Sequence, residues 1–328
     1  MKQTSFLSLI SAALLLVSPL LMAGEILTPH EPVPLNGTKG KFDFIKVDPA
    51  LHRLLACHTG NGSLDVIDVT SSKLIKSLPL GAAQGVAIDA KNHRYFVSVS
   101  KPPKMVIVSS ETLNVIGEVG LTSPADLVAY CPVINSVFVC NDEKPELWII
   151  DPEARIIVTS ITLPGSGMED LDFNQDASYL FQNLKESSSL AKIDPKTRQV
   201  VDQWPTAPAE KPHGLAMVPS AGAVLIAGGT GKLVLMDLTS GKILASTDIA
   251  SRVDEIAYDP ALQQAYCASG LGTMSVVGVT PSKLTTLASI PTSAGAHSIA
   301  VDPTTHTVWI AYAKGDVPYV QAYTATAK

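Results

Sequence analysis

The sequence predicts an all-β protein, a seven-bladed β-propeller of four-stranded blades closed by an N-terminal strand that completes the last blade. The first observation is a four-residue motif, such as Lys46-Val-Asp-Pro49 and Ala300-Val-Asp-Pro303, that recurs seven times at intervals of 41 to 44 residues, with its third positions at 48, 89, 131, 174, 218, 259 and 302. Repeats of this length that contain short strands are typical of propellers. The second is that 23 prolines and 22 glycines mostly separate short β-branched runs. The third is that helical periodicity is scarce after the first 23 residues.

Each repeat is predicted to supply the strands of one blade. In the first repeat, apolar or alternating segments at 42–47, 53–57, 64–69 and 73–78 are separated by turn residues. The third strand ends on an acidic residue in four repeats: Asp68, Asp151, Asp194 and Asp237. A carboxylate at the end of a strand can accept hydrogen bonds from the amides of the next turn, so we expect these four residues to be structural.

The two ends of the chain are predicted to meet in the seventh blade. Several fourth strands end in an apolar residue followed by proline, as in Leu78-Pro79, Leu163-Pro164, Trp204-Pro205 and Ile290-Pro291. Proline is tolerated there because an outermost strand uses only one side of its hydrogen-bonding ladder. The seventh repeat ends just after its third strand, and Val33-Pro34 repeats the pattern. The segment that follows the leader should therefore supply the missing fourth strand.

Residues 1–23 read as a signal peptide, with Lys2, an apolar stretch and Ala23 at the expected cleavage point. An uncleaved membrane anchor is the alternative, although the stretch is barely long enough to span a bilayer. We therefore expect residues 24–328 to form a single domain that is exported to the periplasm or the extracellular space, with no membrane span after cleavage. We expect it to be a monomer.

Charge and cysteine content exclude several functions. The formal net charge of −6 becomes −7 when Lys2 is removed, and no run of basic residues offers a nucleic-acid surface. The four cysteines, which include neither CxxC nor CxxCH, are predicted to be buried free thiols: Cys57, Cys131, Cys140 and Cys267. Cys131 and Cys140 are the only pair that could form a bridge. The stretch Gly228-Gly-Thr-Gly-Lys232 lacks the earlier glycine and the following Ser or Thr of a phosphate loop, so it is predicted to be a hairpin turn.

The third strand and its turn also indicate a family. Residues 64–70 read Leu-Asp-Val-Ile-Asp-Val-Thr, residues 233–242 read Leu-Val-Leu-Met-Asp-Leu-Thr-Ser-Gly-Lys, and residues 137–141 read Val-Phe-Val-Cys-Asn. With these segments the chain resembles the exported seven-bladed propellers of the YVTN-repeat family, which are related to lactonase-like and quinoprotein amine dehydrogenase-like propellers. The resemblance implies the propeller fold over nearly the whole mature chain. It is compatible with binding or scaffold functions and with lactone hydrolysis.

Seven polar residues are predicted to surround one mouth of the central channel. The first strand of each propeller blade is innermost, and the position five residues before each repeat anchor is polar in all seven repeats: Asp43, Gln84, Asp126, Glu169, His213, Asp254 and His297. Because side chains alternate along a strand, a shared register should point all seven the same way. We refer to these residues as the mouth ring.

The mouth ring is the leading candidate for a functional site. As a ligand site it would bind a small molecule or a protein partner. Glu169, His213, Asp254 and His297 could instead bind a divalent metal, the one cofactor the sequence suggests. His213, His297 and Glu169 could also provide acid–base catalysis. A hydrated lining without a ligand would suit the same residues. Asp170 and Glu255 follow ring residues directly, and we expect them to bond to the backbone of neighbouring blades or to water.

Loops at the same face carry further candidates. The loops between second and third strands are predicted to contain His58 and Asn61, Lys101 and Lys104, Asn141 and Asp142, Asn183 and Lys185, and Lys314 and Asp316. Arg252 precedes the sixth repeat and could meet an anionic ligand, although it could also be solvated. The leading hypothesis is a binding or scaffold protein that recognises a ligand or partner at the channel mouth. The alternative is a lactonase-like hydrolase, metal-assisted or not, with a quinone- or metal-associated redox partner as a third hypothesis.

Overall fold

A computed structural model of the chain describes residues 26–325, which form seven antiparallel β-sheets arranged in a ring. Each of the first six sheets contains four strands that follow one another in the sequence. The first strand of every sheet packs beside the first strands of the sheets before and after it, and the first strand of the last blade packs beside that of the first blade. The predicted seven-bladed propeller is therefore confirmed, with the first strands innermost around a central channel.

The strands match the predicted repeats closely. Blades 1 to 3 consist of β3 (Ile45–Asp48), β4 (Arg53–His58), β5 (Ser63–Asp68) and β6 (Lys73–Pro79); β7 (Ala83–Asp89), β8 (Arg94–Val99), β9 (Lys104–Ser109) and β10 (Val115–Gly120); and β11 (Ala125–Cys131), β12 (Ser136–Asn141), β13 (Glu146–Asp151) and β14 (Ile156–Thr162). In the first repeat the predicted bounds agree to within about three residues at every strand end.

Blades 4 to 6 have the same plan. They consist of β15 (Met168–Phe173), β16 (Leu180–Leu184), β17 (Ser189–Asp194) and β18 (Gln199–Pro205); β19 (Pro212–Val218), β20 (Ala223–Gly228), β21 (Lys232–Asp237) and β22 (Ile243–Asp248); and β23 (Val253–Asp259), β24 (Gln264–Ser269), β25 (Thr273–Thr280) and β26 (Lys283–Pro291). A 3-10 turn, Pro219–Ala221, follows β19. The glycine-rich stretch between β20 and β21 is a hairpin turn, as predicted. Residues 26–325 contain no helical segment with the length and hydrophobicity of a membrane span.

Blade 7 is built from both ends of the described chain. Its C-terminal part consists of β27 (Ser298–Asp302), β28 (Thr307–Lys314) and β29 (Val317–Ala325), and its N-terminal part consists of β1 (Leu27–Pro29) and β2 (Val33–Pro34). Both N-terminal strands pair antiparallel with β29, with Leu27 opposite Ala325 and Val33 opposite Val320. The predicted closure of the ring by an N-terminal strand is confirmed.

The hydrophobic core is divided among the blade interfaces. Within residues 26–325, seven clusters of buried side chains each join two adjacent blades. The cluster that closes the ring combines Leu35 and Phe42 from the N-terminal segment with Leu54 of blade 1 and Trp309 of blade 7. Because each blade buries its faces only against its neighbours, the ring must assemble as a whole to be stable.

The aspartate of the repeat anchor explains why that motif recurs. Oδ1 of Asp48 accepts hydrogen bonds from the amides of Ala50 and Leu51, and Oδ2 accepts one from the Tyr95 hydroxyl of blade 2 at 2.7 Å. Asp259 likewise accepts hydrogen bonds from the backbone amides of its turn, and its Oδ2 lies 2.7 Å from Nδ1 of His306 in blade 7. A single carboxylate thus fixes a turn and links two blades at the face opposite the mouth.

The acidic residues that end four third strands are structural, as predicted. Oδ1 of Asp68 accepts a hydrogen bond from the amide of Ser71 at 2.7 Å, and Oδ1 of Asp151 accepts hydrogen bonds from the amides of Glu153 and Ala154. Asp194 and Asp237 bind their turns in the same way.

The prediction of buried free thiols is also confirmed. All four cysteines are free and buried, including Cys131 and Cys140 of blade 3. Burial raises the pKa of the Cys267 thiol to about 12 and that of Cys140 well above its ordinary value, so neither is a reactive thiolate at neutral pH.

Removing residues 24–36 should destabilise the whole ring, because it deletes both strands that pair with β29. Leu27 and Leu35, each 2 % exposed, would be lost from two interface clusters. At about 2–5 kcal/mol for each buried leucine, the melting temperature should fall by roughly 10 °C or more, in a single transition. Thr28→Ala, an exposed change in the same strand, is the control. A deletion variant that melts at the parental temperature would contradict the closure.

Candidate functional site

All seven residues of the mouth ring lie at the same end of the innermost strands, and each has a partly buried side chain. Gln84, Asp126, Glu169, His213 and Asp254 are the second residues of their strands, whereas Asp43 and His297 precede theirs by two residues and one residue. The structure therefore brings together the residues that the repeat spacing selected. Their functional role stays a prediction.

A β-bulge sets the direction of the ring side chains in most blades. The pairing of first and second strands shifts at the ring position in blades 2 to 6; in blade 5, for example, Pro212 pairs with Gly228 but Leu215 pairs with Ile226. In blade 1 the amide of Asp43 and the carbonyl of Phe44 both bond to Cys57, so two residues again face one. A bulge bends its strand locally and can re-aim a side chain. This repeated bulge places the ring side chains at the mouth.

The ring residues line two adjoining cavities. Asp43, Gln84, Asp126 and Glu169 face a cavity of 220 Å³ at the channel axis. His213 and His297 face a larger cavity of 500 Å³ between blades 5, 6 and 7. Asp254 lines both cavities, so it forms the wall between an acidic inner space and a more basic outer one. We call the larger cavity the outer pocket.

A chain of ion pairs crosses four blades at the mouth. Nζ of Lys185 contacts a carboxylate oxygen of Glu169, whose other oxygen lies 3.3 Å from Nδ1 of His213. The same nitrogen lies 3.0 Å from Oδ1 of Asp254, and Oδ2 of Asp254 lies 2.9 Å from Nδ1 of His297. The His297 contact is not aligned as a hydrogen bond, and this nitrogen has no other partner within residues 26–325. Asp254 thus holds both imidazoles by Nδ1 and leaves their Nε2 edges unbonded within the described chain.

The ion pairs determine the charge of His213. Burial by itself lowers the pKa of this imidazole, but the hydrogen-bonding carboxylates of Asp254 and Glu169 outweigh burial and raise it to about 9. Burial would raise the pKa of Asp254, but its contacts with His213 and His297 hold it below its usual range. The contact with Asp254 also raises the pKa of His297. At neutral pH the centre of the mouth is therefore an imidazolium beside a carboxylate.

The carboxyl groups of Asp43 and Asp126, on the other side of the channel, have raised pKa values, in contrast to Asp254. Burial raises the pKa of Asp43 to about 6, although the charge of His297 partly opposes the shift. Burial and the nearby charges of Asp43 and Glu169 raise the pKa of Asp126 well above its usual value. The crowding of carboxyl groups around the inner cavity thus favours protonation of some of them, which reduces the negative charge of the mouth.

The residues behind the ring fix it to the neighbouring blades. Oδ2 of Asp170 accepts a hydrogen bond from the amide of Leu215 in blade 5, and Oε2 of Glu255 accepts one from the amide of Ile299 in blade 7, both at 3.0 Å. The expected backbone role of these two carboxylates is confirmed. Nδ2 of Asn183 donates to the carbonyl of His213 at 2.8 Å. The strands that carry His213 and His297 are therefore held by side chains of the preceding blades.

Three of the four predicted metal candidates form a compact set of donor atoms. One ligand atom each from Glu169, His213 and Asp254 lies within 4.8 Å of the others, whereas His297 is outside this set among the described residues. Two carboxylates and an imidazole suit Zn, Mn or Fe. A metal would have to displace the proton on Nδ1 of His213 and compete with Lys185, which already neutralises Glu169.

Part of the prediction about the loops was wrong. His58, Asn141 and Asn183 lie within strands and are buried, not exposed in recognition loops. His58 stacks on Phe42, its Nδ1 lies 2.7 Å from Asp65, and its Nε2 lies 3.0 Å from the carbonyl of Gly40. These contacts tie the N-terminal segment to blade 1, so His58 is structural.

Two basic residues line the outer pocket, and the sequence pointed to only one of them. Lys211 and Arg252 line this pocket, and each lies two residues before a ring residue. Both have left-handed backbone, with φ of 51° and 56°. Only Arg252 was considered from the sequence; Lys211 could have been found by applying the same offset to the fifth repeat.

Comparisons with known proteins support the fold and leave the family open. No family model matches the chain. Over 152 residues it is 24 % identical to the uncharacterized protein YncE of Salmonella typhi, a match that spans 44 % of this chain and 42 % of that protein. The chain thus matches less than half the length of this curated relative.

Solved structures share the architecture over almost the full chain. A chain of the Kuenenia stuttgartiensis hydrazine synthase superposes with a TM-score of 0.71 and 15 % identity, covering 91 % of this chain and 98 % of that chain. A chain of a mitotic checkpoint complex superposes with a TM-score of 0.77 and 13 % identity, covering 97 % of this chain and 98 % of that chain. The WD40 repeats of RRP9 superpose with a TM-score of 0.76 and 10 % identity, covering 91 % of this chain and 100 % of that chain. At these identities the similarity shows the seven-bladed propeller fold alone.

The raised pKa of His213 predicts a stability that falls as pH rises. The folded state binds the proton more tightly than the unfolded chain, so the stabilisation is fully present below about pH 6.5 and is lost as pH rises through about 9. The loss should be on the order of 3 kcal/mol in the free energy of unfolding. His213→Gln should remove it, whereas His93→Gln, at an exposed turn, should not. Denaturant unfolding between these pH values tests this, and equal pH slopes for wild type and His213→Gln would contradict it.

Proposed function

We propose that this propeller is a binding protein whose recognition site is the channel mouth. The observation that carries the proposal is the ion-pair chain from Lys185 through Glu169, His213 and Asp254 to His297. Four blades contribute to it, and it borders a pocket of 500 Å³, a volume typical of small-molecule sites. Side chains that are oriented by fixed charges before a ligand arrives lose little entropy on binding.

The charge state of His213 favours binding over general-base catalysis. An imidazole with a pKa of about 9 is protonated at neutral pH, so it can donate hydrogen bonds but rarely accept a proton. A lactonase-like hydrolase is a second candidate because Asp254 orients both imidazoles through Nδ1, as carboxylates do in catalytic sites. Turnover of a lactone that disappears in a His213→Gln variant of unchanged melting temperature would favour that candidate.

Export is part of the same proposal. The apolar leader at residues 1–23 lies outside the described residues, and its removal would leave a mature chain that starts at Gly24. Intact-mass measurement of protein from the periplasm or the medium should give the mass of residues 24–328. Protein that keeps its first 23 residues and stays with the cells would contradict export.

A variant that fills the pocket tests the proposed site. A Cβ at Gly229 would lie 3.7 Å from Nε2 of His213, where it displaces no atom, and Gly229 does not have left-handed backbone. Gly229→Val should therefore narrow the outer pocket without disturbing the blade. Gly120→Val, where a Cβ would meet nothing within 4 Å, is the matched control on an outer strand.

Thermal denaturation of the three proteins should be compared across cationic, anionic and neutral small molecules, including divalent metal chlorides. A ligand at about 100 times its Kd stabilises by about 2.7 kcal/mol, which corresponds to a shift of several degrees. We expect such a shift for wild type and Gly120→Val, and its loss in Gly229→Val. Equal shifts in all three proteins, or no stabilising ligand in any class, would contradict the proposal.

A further inference from the structure

We propose that the outer pocket between blades 5, 6 and 7 binds the carboxylate or phosphate group of a small organic anion, with Lys211 and Arg252 as its principal contacts. This proposal rests on the proposed function and adds the chemistry of the ligand. The inner cavity is acidic and by itself would favour a cation, whereas the outer pocket is proposed to bind an anion.

The pocket walls supply more positive than negative charge. Lys211 and Arg252 line the pocket and are exposed, and within residues 26–325 neither charged group has a hydrogen-bond or ion-pair partner. The one carboxylate on the wall is Asp254, which two imidazoles already contact. An arriving anion would therefore meet two unpaired cations, and guanidinium and ammonium groups bind carboxylate and phosphate strongly.

The remaining wall atoms also suit an anion. The Nε2 edges of His213 and His297 are unbonded within the described chain, because both rings use Nδ1 towards Asp254. Thr230 adds a hydroxyl to the same wall. Gly229 and Gly270 form the wall between these groups, and a Cβ at either would come only within 3.5–3.9 Å of the histidines. The absence of side chains at these two glycines leaves room for a ligand next to both rings.

Hydrogen bonds fix the backbone at the two cationic residues, Lys211 and Arg252. The amide of Gly229 donates to the carbonyl of Lys211 at 2.9 Å, and the amide of Arg252 donates to the carbonyl of Gly229 at 3.0 Å. The amide of Gly270 donates to the carbonyl of Arg252 at 3.2 Å. The entry segments of blades 5 and 6 and the neighbouring hairpin loops thus form one hydrogen-bonded series around the pocket.

The same backbone position is glycine in the flanking blades, and this makes a clean test possible. Gly167 and Gly295 lie two residues before Glu169 and His297 and have φ of 67° and 85°. Lys211 and Arg252 adopt the left-handed conformation at the corresponding places, where glycine is better tolerated. Substitution of both by glycine should therefore remove the charges without lowering the stability of the fold.

The experiment compares wild type with Lys211→Gly/Arg252→Gly. The control is Arg155→Gly/Arg198→Gly, which removes two left-handed arginines, with φ of 57° and 61°, from turns that follow third strands. Isothermal titration calorimetry at constant ionic strength would use sodium phosphate and sodium citrate as anionic probes. Putrescine and manganese chloride would serve as cationic probes, and Gly229→Val would be titrated alongside.

We expect phosphate or citrate to bind wild type and the control saturably, and the double pocket variant about tenfold or more weakly, with a melting temperature at least as high as that of wild type. The stronger of the two probes identifies the anionic group. Failure of both anions to bind wild type, or equal binding to the pocket variant, would overturn the proposal. If only the cationic probes bind and Gly229→Val abolishes their binding, the anion proposal fails while the mouth remains the site. Binding that Gly229→Val leaves unchanged would count against the proposed function itself.

Discussion

Closure of the ring is the constraint on which the rest of the structure depends. No blade can bury both of its faces alone, and each of the seven buried clusters needs side chains from two neighbours. The N-terminal strands complete blade 7 by pairing with β29, so the last interface forms only when both ends of the chain meet. Closure brings the seven first strands together around the channel.

The functional arrangement follows from this geometry. Ring residues that are about 42 positions apart in the chain become neighbours, and a carboxylate in one blade meets an imidazole in the next, as Asp254 meets both His213 and His297. Burial would discharge these groups individually, but opposite charges at 2.9–3.3 Å stabilise their ionised forms. The mouth is thus divided into two sides. On the inner side, the crowding of carboxyl groups favours their protonation; on the outer side, His213 faces a pocket with Lys211 and Arg252, whose charged groups have no partner within residues 26–325.

The sequence was sufficient to predict the features that depend on periodicity. Blade number, strand positions and the placement of all seven ring residues follow from a repeat whose anchor aspartate serves the same turn in several blades, as at Asp48 and Asp259. The N-terminal closure follows from the apolar residue and proline that end several fourth strands and recur at Val33-Pro34. Features that depend on contacts between repeats could not be predicted. The burial of His58 depends on Asp65 across a hairpin and on Gly40 from another segment. The bulges that aim the ring residues have no residue signature here, and the left-handed backbone at Lys211 occurs at a position where two other blades have Gly167 and Gly295.

The most direct test of the central claim is nuclear magnetic resonance of ¹⁵N-labelled imidazole side chains across pH, with and without the tightest-binding probe. The structure predicts that His213 titrates near pH 9, so both of its ring nitrogens carry protons at neutral pH. On saturation, the Nε2 signals of His213 and His297 should shift, while those of His52 and His93 on the opposite face should not. A His213 that titrates near the ordinary value of 6.5, with no selective response at the mouth, would contradict this account of the site.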